Sequence, residues 1–477
     1  MNNLYINGRW IESTEHTIEI INPATGEHVQ EVAAGGQKET KETIDAAKQA
    51  FKMWKNKTGK ERGQYLKEIA RLMVEKKDVL AEAITKEMGK PFEDAKREIL
   101  VAADYTEWYG EEAKRVYGDV IPASVPDKHL MVVRQPVGVT AAITPWNFPV
   151  SMITRKIAPA LAAGCTVIIK PAPSTPLSAI EVFKCFHEAG LPEGVANLII
   201  GPAEEIGPEL TSNKDVRKLT FTGSTNVGKH LMRESATNVK KVSMELGGHA
   251  PFLVFEDADI DEAVKGALLT KFKNAGQTCI STNRVYVAES IAEVFQRKLT
   301  EKVAELKVGN GMEAGVDVGP LVNEQALEKV QDHVADAIKH GGEVLVGGNT
   351  FEKEGLSGNF YQPTVIANAN ESMKIATEET FGPVLPVFTF TNEDDVIERA
   401  NHDRYGLAAY CYTKDMSRGY HLMNELEYGI IGINDPGPVA AQAPFGGVKE
   451  SGVGREGGKH GMDEFVEEKF VSMNVKR

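Results

Sequence analysis

The stretch from Val137 to Met244 sets the tightest limit on the fold. Apolar β-type runs at Val137–Ile143, Thr166–Ile169, Asn197–Ile200, Lys218–Phe221 and Lys241–Met244 alternate with helical stretches at about Val150–Ala163, Leu177–Glu188, Ala203–Thr211 and Asn226–Glu234. That alternation predicts βαβ units and a parallel sheet covered on both faces. A second series follows. Strand-like runs at Pro251–Phe255, Arg284–Val287, Val384–Phe390, Leu407–Tyr412 and Gly429–Ile433 are separated by helices near 260–274, 290–306, 323–340 and 393–401. Two α/β layers in series predict two lobes with a cleft between them.

The flanks read differently. Asn7-Gly8 between Leu4-Tyr5-Ile6 and Arg9-Trp10-Ile11 predicts a tight hairpin, and Asn22 to Gly26 another turn. From Lys38 to Met88 the apolar spacing is helical, with Ile44, Ala47, Phe51 and Trp54 on one face; Gly89 and Pro91 stop it, and a further helix runs to about Arg115. Residues 434–458 are rich in Gly and Pro and read as a long, functional loop. Asp463–Met473 alternates loosely and suits a strand added to a partner's sheet.

A net charge of −14 argues against nucleic acid and anionic membranes as partners, because both require a basic surface. The four cysteines, Cys165, Cys185, Cys279 and Cys411, fit neither a disulfide framework nor a CxxC metal site, so no metal is expected and a reducing cytoplasm is the simplest setting. Met1 to Trp10 holds no apolar core of a signal peptide, and no apolar run is long enough to cross a membrane.

Short motifs sit at the strand ends. Pro145-Trp146-Asn147-Phe148-Pro149 follows the strand ending at Ile143, where α/β sheets bind ligands, and an Asn amide there can donate to an oxyanion. Lys170-Pro171-Ala172-Pro173-Ser174 follows the next strand; Lys170 reaches ribose or phosphate there, or is a solvated strand-end residue. Phe221-Thr222-Gly223-Ser224-Thr225 leads into a helix whose free N–H groups suit a pyrophosphate, although its spacing is not GxGxxG. Met244-Glu245-Leu246-Gly247-Gly248 puts a carboxylate beside two glycines, a general base with room to swing. Lys273-Asn274-Ala275-Gly276-Gln277-Thr278-Cys279 reads as the end of a helix starting near Ile260. Gly276 clears space beside the sulfur, and Lys273 with nearby N–H groups is expected to favour the reactive thiolate. Taken alone, Cys279 is better explained as a small buried apolar side chain, the usual state of a free cysteine. Glu379, before the turn at Phe381, can accept from ribose hydroxyls; Phe445 and Glu456 lie on the long loop and border a substrate entrance.

Together, PWNFP, KPAPSTP, FTGST, MELGG, GQTC, EETFGP and PFGG closely resemble the aldehyde dehydrogenase superfamily, from Tyr5 to about Val471. The resemblance implies an α/β fold with two α/β domains, an atypical Rossmann-like cofactor domain and a catalytic domain, plus a small bridging β-sheet. The expected division is residues 1–118 and 142–246 for the cofactor domain, 247–440 for the catalytic domain, and 119–141 with 463–477 for the oligomerisation sheet. Residues 441–462 are expected as a loop and return segment to the cofactor domain. It also implies that Cys279 attacks an aldehyde, that Asn147 and the Cys279 N–H hold the oxyanion, that hydride passes to a nicotinamide, and that Glu245 activates water against the thioester. Glu456 matches a proton relay. Trp146, Lys170, Ser174, Gly223, Ser224, Glu379 and Phe381 match cofactor contacts. Glu245 argues against a CoA-acylating enzyme. Pro173 stands where NAD-preferring members often carry Glu, so no carboxylate repels a 2′-phosphate and NADP is expected to be accepted as well as NAD.

Within the superfamily the chain looks most like succinate-semialdehyde dehydrogenases, on Gly406 to Tyr410, Glu427 to Asn434 and Gly454 to Lys459. Arg155 matches an arginine that binds the distal carboxylate in that subfamily, and a guanidinium fork meets a carboxylate with two bonds. The subfamily's second arginine is Lys273 here, its loop serine is replaced at Ala440 or a neighbour, and Ser281 stands where some members have a second redox cysteine. Phe148 and Phe445 complete the expected aldehyde site. Alternatives are a dehydrogenase of hydroxyaldehydes or of aromatic or aliphatic aldehydes, with Arg155 structural, or a catalytically idle family member. A homodimer or homotetramer is implied by the resemblance alone.

Overall fold

The structure, a computed structural model, describes residues 2–12 and 16–475. The first lobe is built on an eight-stranded sheet. Its five central strands, Ala196–Leu198, Thr166–Lys170, Val139–Ile143, Val216–Thr222 and Lys241–Glu245, lie side by side in that order and run parallel. The hairpin of Asn2–Ile6 and Arg9–Glu12 joins one edge antiparallel, and Gly452–Val453 from the long loop joins the other. Asn7 and Gly8 turn the hairpin with φ of 52° and 77°, the left-handed pair a two-residue turn needs.

Register matters more than strand count. Ile143 pairs with Lys170 and Phe221, and Thr222 with Glu245. Four of the motifs therefore leave the sheet along one edge, the carboxyl end where α/β sheets bind ligands. Helices Pro149–Ala163, Pro176–Glu188, Ala203–Ser212 and Thr225–Ser235 make the return connections. Pro149–Ala163 is buried along its whole length, between the sheet and helices Gly59–Glu75 and Phe92–Glu112.

The second lobe holds a seven-stranded sheet in the order Glu343–Val346, Thr364–Ala367, Val384–Phe390, Thr282–Ala288, Ala250–Val254, Ala408–Tyr412, Ile430–Ile433; only the first pair is antiparallel. Each lobe has its own core: Val167, Ile168 and Leu219 belong to one, Phe252, Val285 and Val387 to the other.

Several expectations need correction. The helix from Ile260 stops at Lys271, short of the cysteine segment. Val139–Ile143 pairs on both sides inside the large sheet, so residues 139–141 do not lie in the small one. Val466–Asn474 pairs along one edge with this chain's own Lys128–Pro136, which also pairs with Asp119–Ile121. The strands His16–Ile21 and His28–Ala34 flank the turn at Asn22 but were not expected; neither were Glu343–Val346 and Thr364–Ala367. The long loop carries two short strands, Val448–Lys449 and Gly452–Val453.

Candidate active site

Cys279 comes into place through a left-handed turn. Asn274, Ala275 and Gly276 all have positive φ, 53°, 54° and 73°. For a residue with a Cβ this conformation costs about 1–2 kcal/mol, and here it is held by side chains. Asn274 Nδ2 donates to the carbonyls of Asn147 (3.1 Å) and Gln277 (3.2 Å). Gln277 Nε2 donates to the Asn274 and Pro320 carbonyls, while its Oε1 accepts from Val322 N at 2.9 Å. A Cβ on Gly276 would lie 2.2 Å from the Gly382 carbonyl, so only glycine fits. Asn147 Nδ2 donates to the Gln277 carbonyl at 3.0 Å, bringing the first lobe's strand-end loop onto the cysteine turn. Its second amide hydrogen remains free, and the Cys279 N–H has no acceptor among the described residues. Asn147 and Cys279 line the same cavity.

Glu245 ends its strand buried, with Oε2 lacking a hydrogen-bond partner. A Cβ on Gly446 would come within 2.7 Å of Glu245 Oε1, so that glycine keeps the carboxylate's surroundings open. Burial, and then the Glu456 carboxylate, hold the Glu245 carboxyl well above the usual range, opposed by Lys156, Arg455 and Arg155. Glu456 is itself buried; its Oε1 is ion-paired with Lys156, which also donates to Thr222 Oγ1 at 2.6 Å, and its Oε2 is unpartnered. A buried carboxyl whose proton affinity is raised, beside a second carboxyl anchored by a lysine, is suited to taking and passing on protons.

The Cys279 thiol is pushed up to about 12 by burial and then by Glu379, with Glu245 and Glu456 adding to the shift; Arg155 opposes it. The cation acting on the sulfur is therefore Arg155 and not Lys273, which is exposed. The thiol rests protonated, so its reaction needs a proton acceptor.

Two cavities meet at Cys279 and Met152. The larger, about 590 Å³, is walled by Trp146, Asn147, Gly223, Ser224, Gly247, Glu379 and Phe381, among others. Trp146 and Phe381 meet edge to face at 5.7 Å. Ser224 Oγ caps helix Thr225–Ser235 by accepting from Val227 N at 3.5 Å, which leaves its hydroxyl hydrogen and the first helical N–H groups for a phosphate. Glu379 accepts from Gly248 N at 3.2 Å, and a Cβ on Gly247 would sit 3.1 Å from Glu379 Oε2, so glycine leaves that oxygen open to the cavity. An aromatic pair, an open carboxylate and a helix N-terminus fit the ring, ribose and phosphate of a dinucleotide. Lys170 and Ser174 are not in this wall. Lys170 is buried at its strand end, donates to the Pro171 carbonyl at 3.3 Å, and is brought down to about 8 by burial; Ser174 sits on an exposed turn.

The smaller cavity, about 280 Å³, is lined by Phe148, Arg155, Lys273, Tyr410 and Phe445, with Pro436, Gly437 and Val439 of the long loop. Arg155 is buried, its guanidinium 4.7 Å from the Tyr105 ring and 4.6 Å from Phe445. Its Nε has no partner, and no carboxylate pairs with it among the described residues. A buried cation without a direct ion pair is costly, and this one lines a chamber of small-molecule size.

Sequence reasoning missed the supports behind these groups. Lys90 and Glu98 form a buried ion pair; Lys90 donates to the Asn147 carbonyl at 2.8 Å, and Glu98 Oε1 accepts from Val150 N and Ser151 N at 3.0 and 3.1 Å. They set the loop that carries Asn147. The available signal was a lysine between Gly89 and Pro91, and charged Arg155 and Lys156 inside an otherwise apolar helix.

Comparison with known proteins agrees with this geometry. The model of the aldehyde dehydrogenase family matches residues 10–471. The glutarate-semialdehyde dehydrogenase of Pseudomonas putida is 50% identical over 99% of this chain and 97% of its own. The NADP(+) succinate-semialdehyde dehydrogenase GabD of Escherichia coli strain K12 is 49% identical over 98% of this chain and 97% of its own. The crystal structure of betaine aldehyde dehydrogenase from Staphylococcus aureus in complex with NAD+ is 37% identical and has a TM-score of 0.97, covering 100% of this chain and 96% of that one. The chain belongs to the aldehyde dehydrogenase family and is an NAD(P)-dependent oxidoreductase acting on aldehydes.

Proposed function

We propose that the substrate is a short aldehyde with a distal carboxylate, succinate semialdehyde foremost, and that the product is the dicarboxylate. The observation that carries this is Arg155, a buried guanidinium with no direct ion pair among the described residues, in the smaller cavity. A substrate carboxylate supplies the missing charge, with Lys273 at the rim and Phe148 and Phe445 against the methylenes.

Cys279 Sγ attacks the aldehyde carbon as its proton passes to water in the cavity, and the carbonyl oxygen takes up the negative charge. Asn147 Nδ2–H and the Cys279 N–H stabilise the developing oxyanion. NAD(P) would be held in the larger cavity by Trp146, Gly223, Ser224, Glu379 and Phe381, with Lys170 and Ser174 as further contacts outside that wall, and would supply the hydride acceptor. Oxidation leaves a thioester on Cys279. Glu245 then takes a proton from water, the hydroxide adds to the thioester carbon, and Cys279 departs as the thiolate and is reprotonated. The Glu456–Lys156 pair passes the released proton outward. Splitting the reaction at a thioester replaces one hard step with two easier ones.

In this reading residues 1–118 and 142–246 serve the cofactor and 247–440 the chemistry. Pro173 and Ser174 admit the 2′-phosphate of NADP. The small sheet keeps free edges at Asp119–Ile121 and Val466–Asn474, with Val120 and Phe470 exposed, and joins copies into a homodimer or homotetramer. Four free cysteines suit the cytoplasm; no described helix is long and apolar enough to cross a membrane.

Initial rates on purified protein test the substrate. Succinate semialdehyde is compared with butyraldehyde and benzaldehyde, each with NAD and NADP. A kcat/KM at least about a hundredfold higher for the semialdehyde, ~2.7 kcal/mol of discrimination, supports the proposal. Equal or better rates with the uncharged aldehydes overturn it.

A further inference from the structure

The smaller cavity has a second cationic wall that none of the motifs contain. Helix Phe92–Glu112 passes its mouth and contributes Asp94, Arg97, Glu98 and Val101 to the lining. These residues differ in how their charges are satisfied. Glu98 is buried, paired with Lys90, and occupied by two backbone N–H groups of the next helix. Its charge is spent. Asp94 and Arg97 lie one helical turn apart and meet through a single contact, Nη1 to Oδ1 at 3.1 Å. The Arg97 side chain is 69% exposed and that of Asp94 is 15% exposed. A one-point pair whose arginine is exposed is weak, on the order of 1 kcal/mol, so Arg97 can leave Asp94 at modest cost. Lys273, also lining the cavity, is exposed and has no hydrogen bond or ion pair among the described residues. Counting every charged group on the wall, the chamber carries Arg155, Arg97 and Lys273 against Asp94 and an already neutralised Glu98.

We infer that Arg97 is a specificity residue: it exchanges Asp94 for the distal anion of the aldehyde and, with Lys273, closes the chamber's mouth over a carboxylate held from inside by Arg155. The inference rests on the carboxylated-aldehyde reading above. Its physical basis is geometric. Arg155 carries two aromatic contacts, Tyr105 and Phe445, and its N–H groups are the part of it that can meet a ligand's oxygens. Those donors leave part of a carboxylate's acceptor capacity unused. Lys273 supplies a point charge at the rim, and Arg97 supplies the second fork.

The test is the selectivity ratio, kcat/KM for succinate semialdehyde over kcat/KM for butyraldehyde, in the full-length enzyme with saturating cofactor. Arg97→Gln is expected to lower this ratio about tenfold, chiefly by raising KM for the semialdehyde, since charge-assisted hydrogen bonds are the strong ones. Arg97→Lys should recover part of the loss. Asp94→Asn should move the ratio the other way, about two- to threefold upward, by releasing Arg97; a merely structural role for the pair predicts losses in both variants. Added salt should weaken semialdehyde binding in the wild type more than in Arg97→Gln. If Arg97→Gln leaves the ratio within about twofold while Arg155→Gln collapses it, Arg97 is not a ligand and the carboxylate reading stands. If the wild type shows no preference for the semialdehyde, both fall together.

Discussion

The two cavities that meet at Cys279 are built from different materials. The larger is defined by backbone: strand ends in register, the turn at Gly223, the N-terminus of helix Thr225–Ser235, and the open space at Gly247. The smaller is defined by side chains on helix faces and on the long loop: Arg97, Phe148, Arg155, Tyr410 and Phe445. Backbone donors survive most substitutions, because almost any residue presents the same N–H. Side-chain recognition changes with one codon. A cofactor shared across a family suits the first kind of wall, and a substrate that differs between relatives suits the second. Chemistry sits on the seam, where Asn147 of one lobe bonds to the Gln277 carbonyl of the other.

Substitutions on the seam should have the largest effects and should separate the two sides. Cys279→Ala is expected to lower turnover by at least about 10⁴-fold, as loss of a covalent nucleophile does, while cofactor affinity by fluorescence titration stays within about twofold. Loss of cofactor binding as well would show that the cavities are not independent. Glu245→Gln should leave the acylation half more intact than the hydrolytic half: a stopped-flow trace is expected to retain a burst of reduced nicotinamide, with a steady rate lower by about 10²–10⁴-fold. Absence of a burst would assign Glu245 to thiol activation instead. On the aldehyde side alone, Arg155→Gln should cost about 10²-fold in kcat/KM for succinate semialdehyde, ~2.7 kcal/mol, and far less for butyraldehyde. Equal losses on both substrates would make Arg155 a structural residue.

The same contrast governs what could be read from sequence. Strand–helix alternation was legible because both faces of each sheet are covered, and the strand-end motifs were legible because strand ends are where such sheets bind ligands. The cysteine segment was misread as helix. Its Lys273 and Ala275 suit a helix, and what forces Asn274 and Ala275 left-handed is tertiary: the Asn147, Gln277 and Pro320 carbonyls and the close approach of Gly382 to Gly276. The roles of Lys90 and Glu98 were invisible for a related reason. They act on Asn147 and on the helix after it from 52 or more residues away in sequence, and no local pattern announces that. The hairpin strands His16–Ile21 and His28–Ala34 escaped because their outer positions are mostly exposed or half-exposed, so their apolar signal is weak.

The smallest expected effect lies on the cofactor side, and it sharpens the comparison because a side chain intrudes there on a backbone-built wall. Glu379 is raised to about 7, by burial first; the Gly248 N–H and the charges of Lys329 and Lys271 hold it from going higher. Below that pH the carboxyl is protonated and cannot offer all its acceptor sites to a ribose diol; above it, the carboxylate can accept from both hydroxyls. Affinity for NAD should therefore rise between about pH 6 and pH 8, by no more than about tenfold, the most that one pKa unit of linkage supplies. Lys271 complicates the reading. It is buried, bonded to Asn283 Oδ1 at 2.9 Å, and brought down to about 7 by burial, so it loses its charge over the same range. Its deprotonation acts in the opposite sense, since it removes a cation that helps keep Glu379 ionised. Titrating NAD into Cys279→Ala protein isolates binding from turnover. Glu379→Gln should flatten the profile, and Lys271→Met should steepen it or shift it upward in pH. A slope that survives Glu379→Gln would place the titrating group elsewhere and take Glu379 out of the pH dependence of cofactor binding.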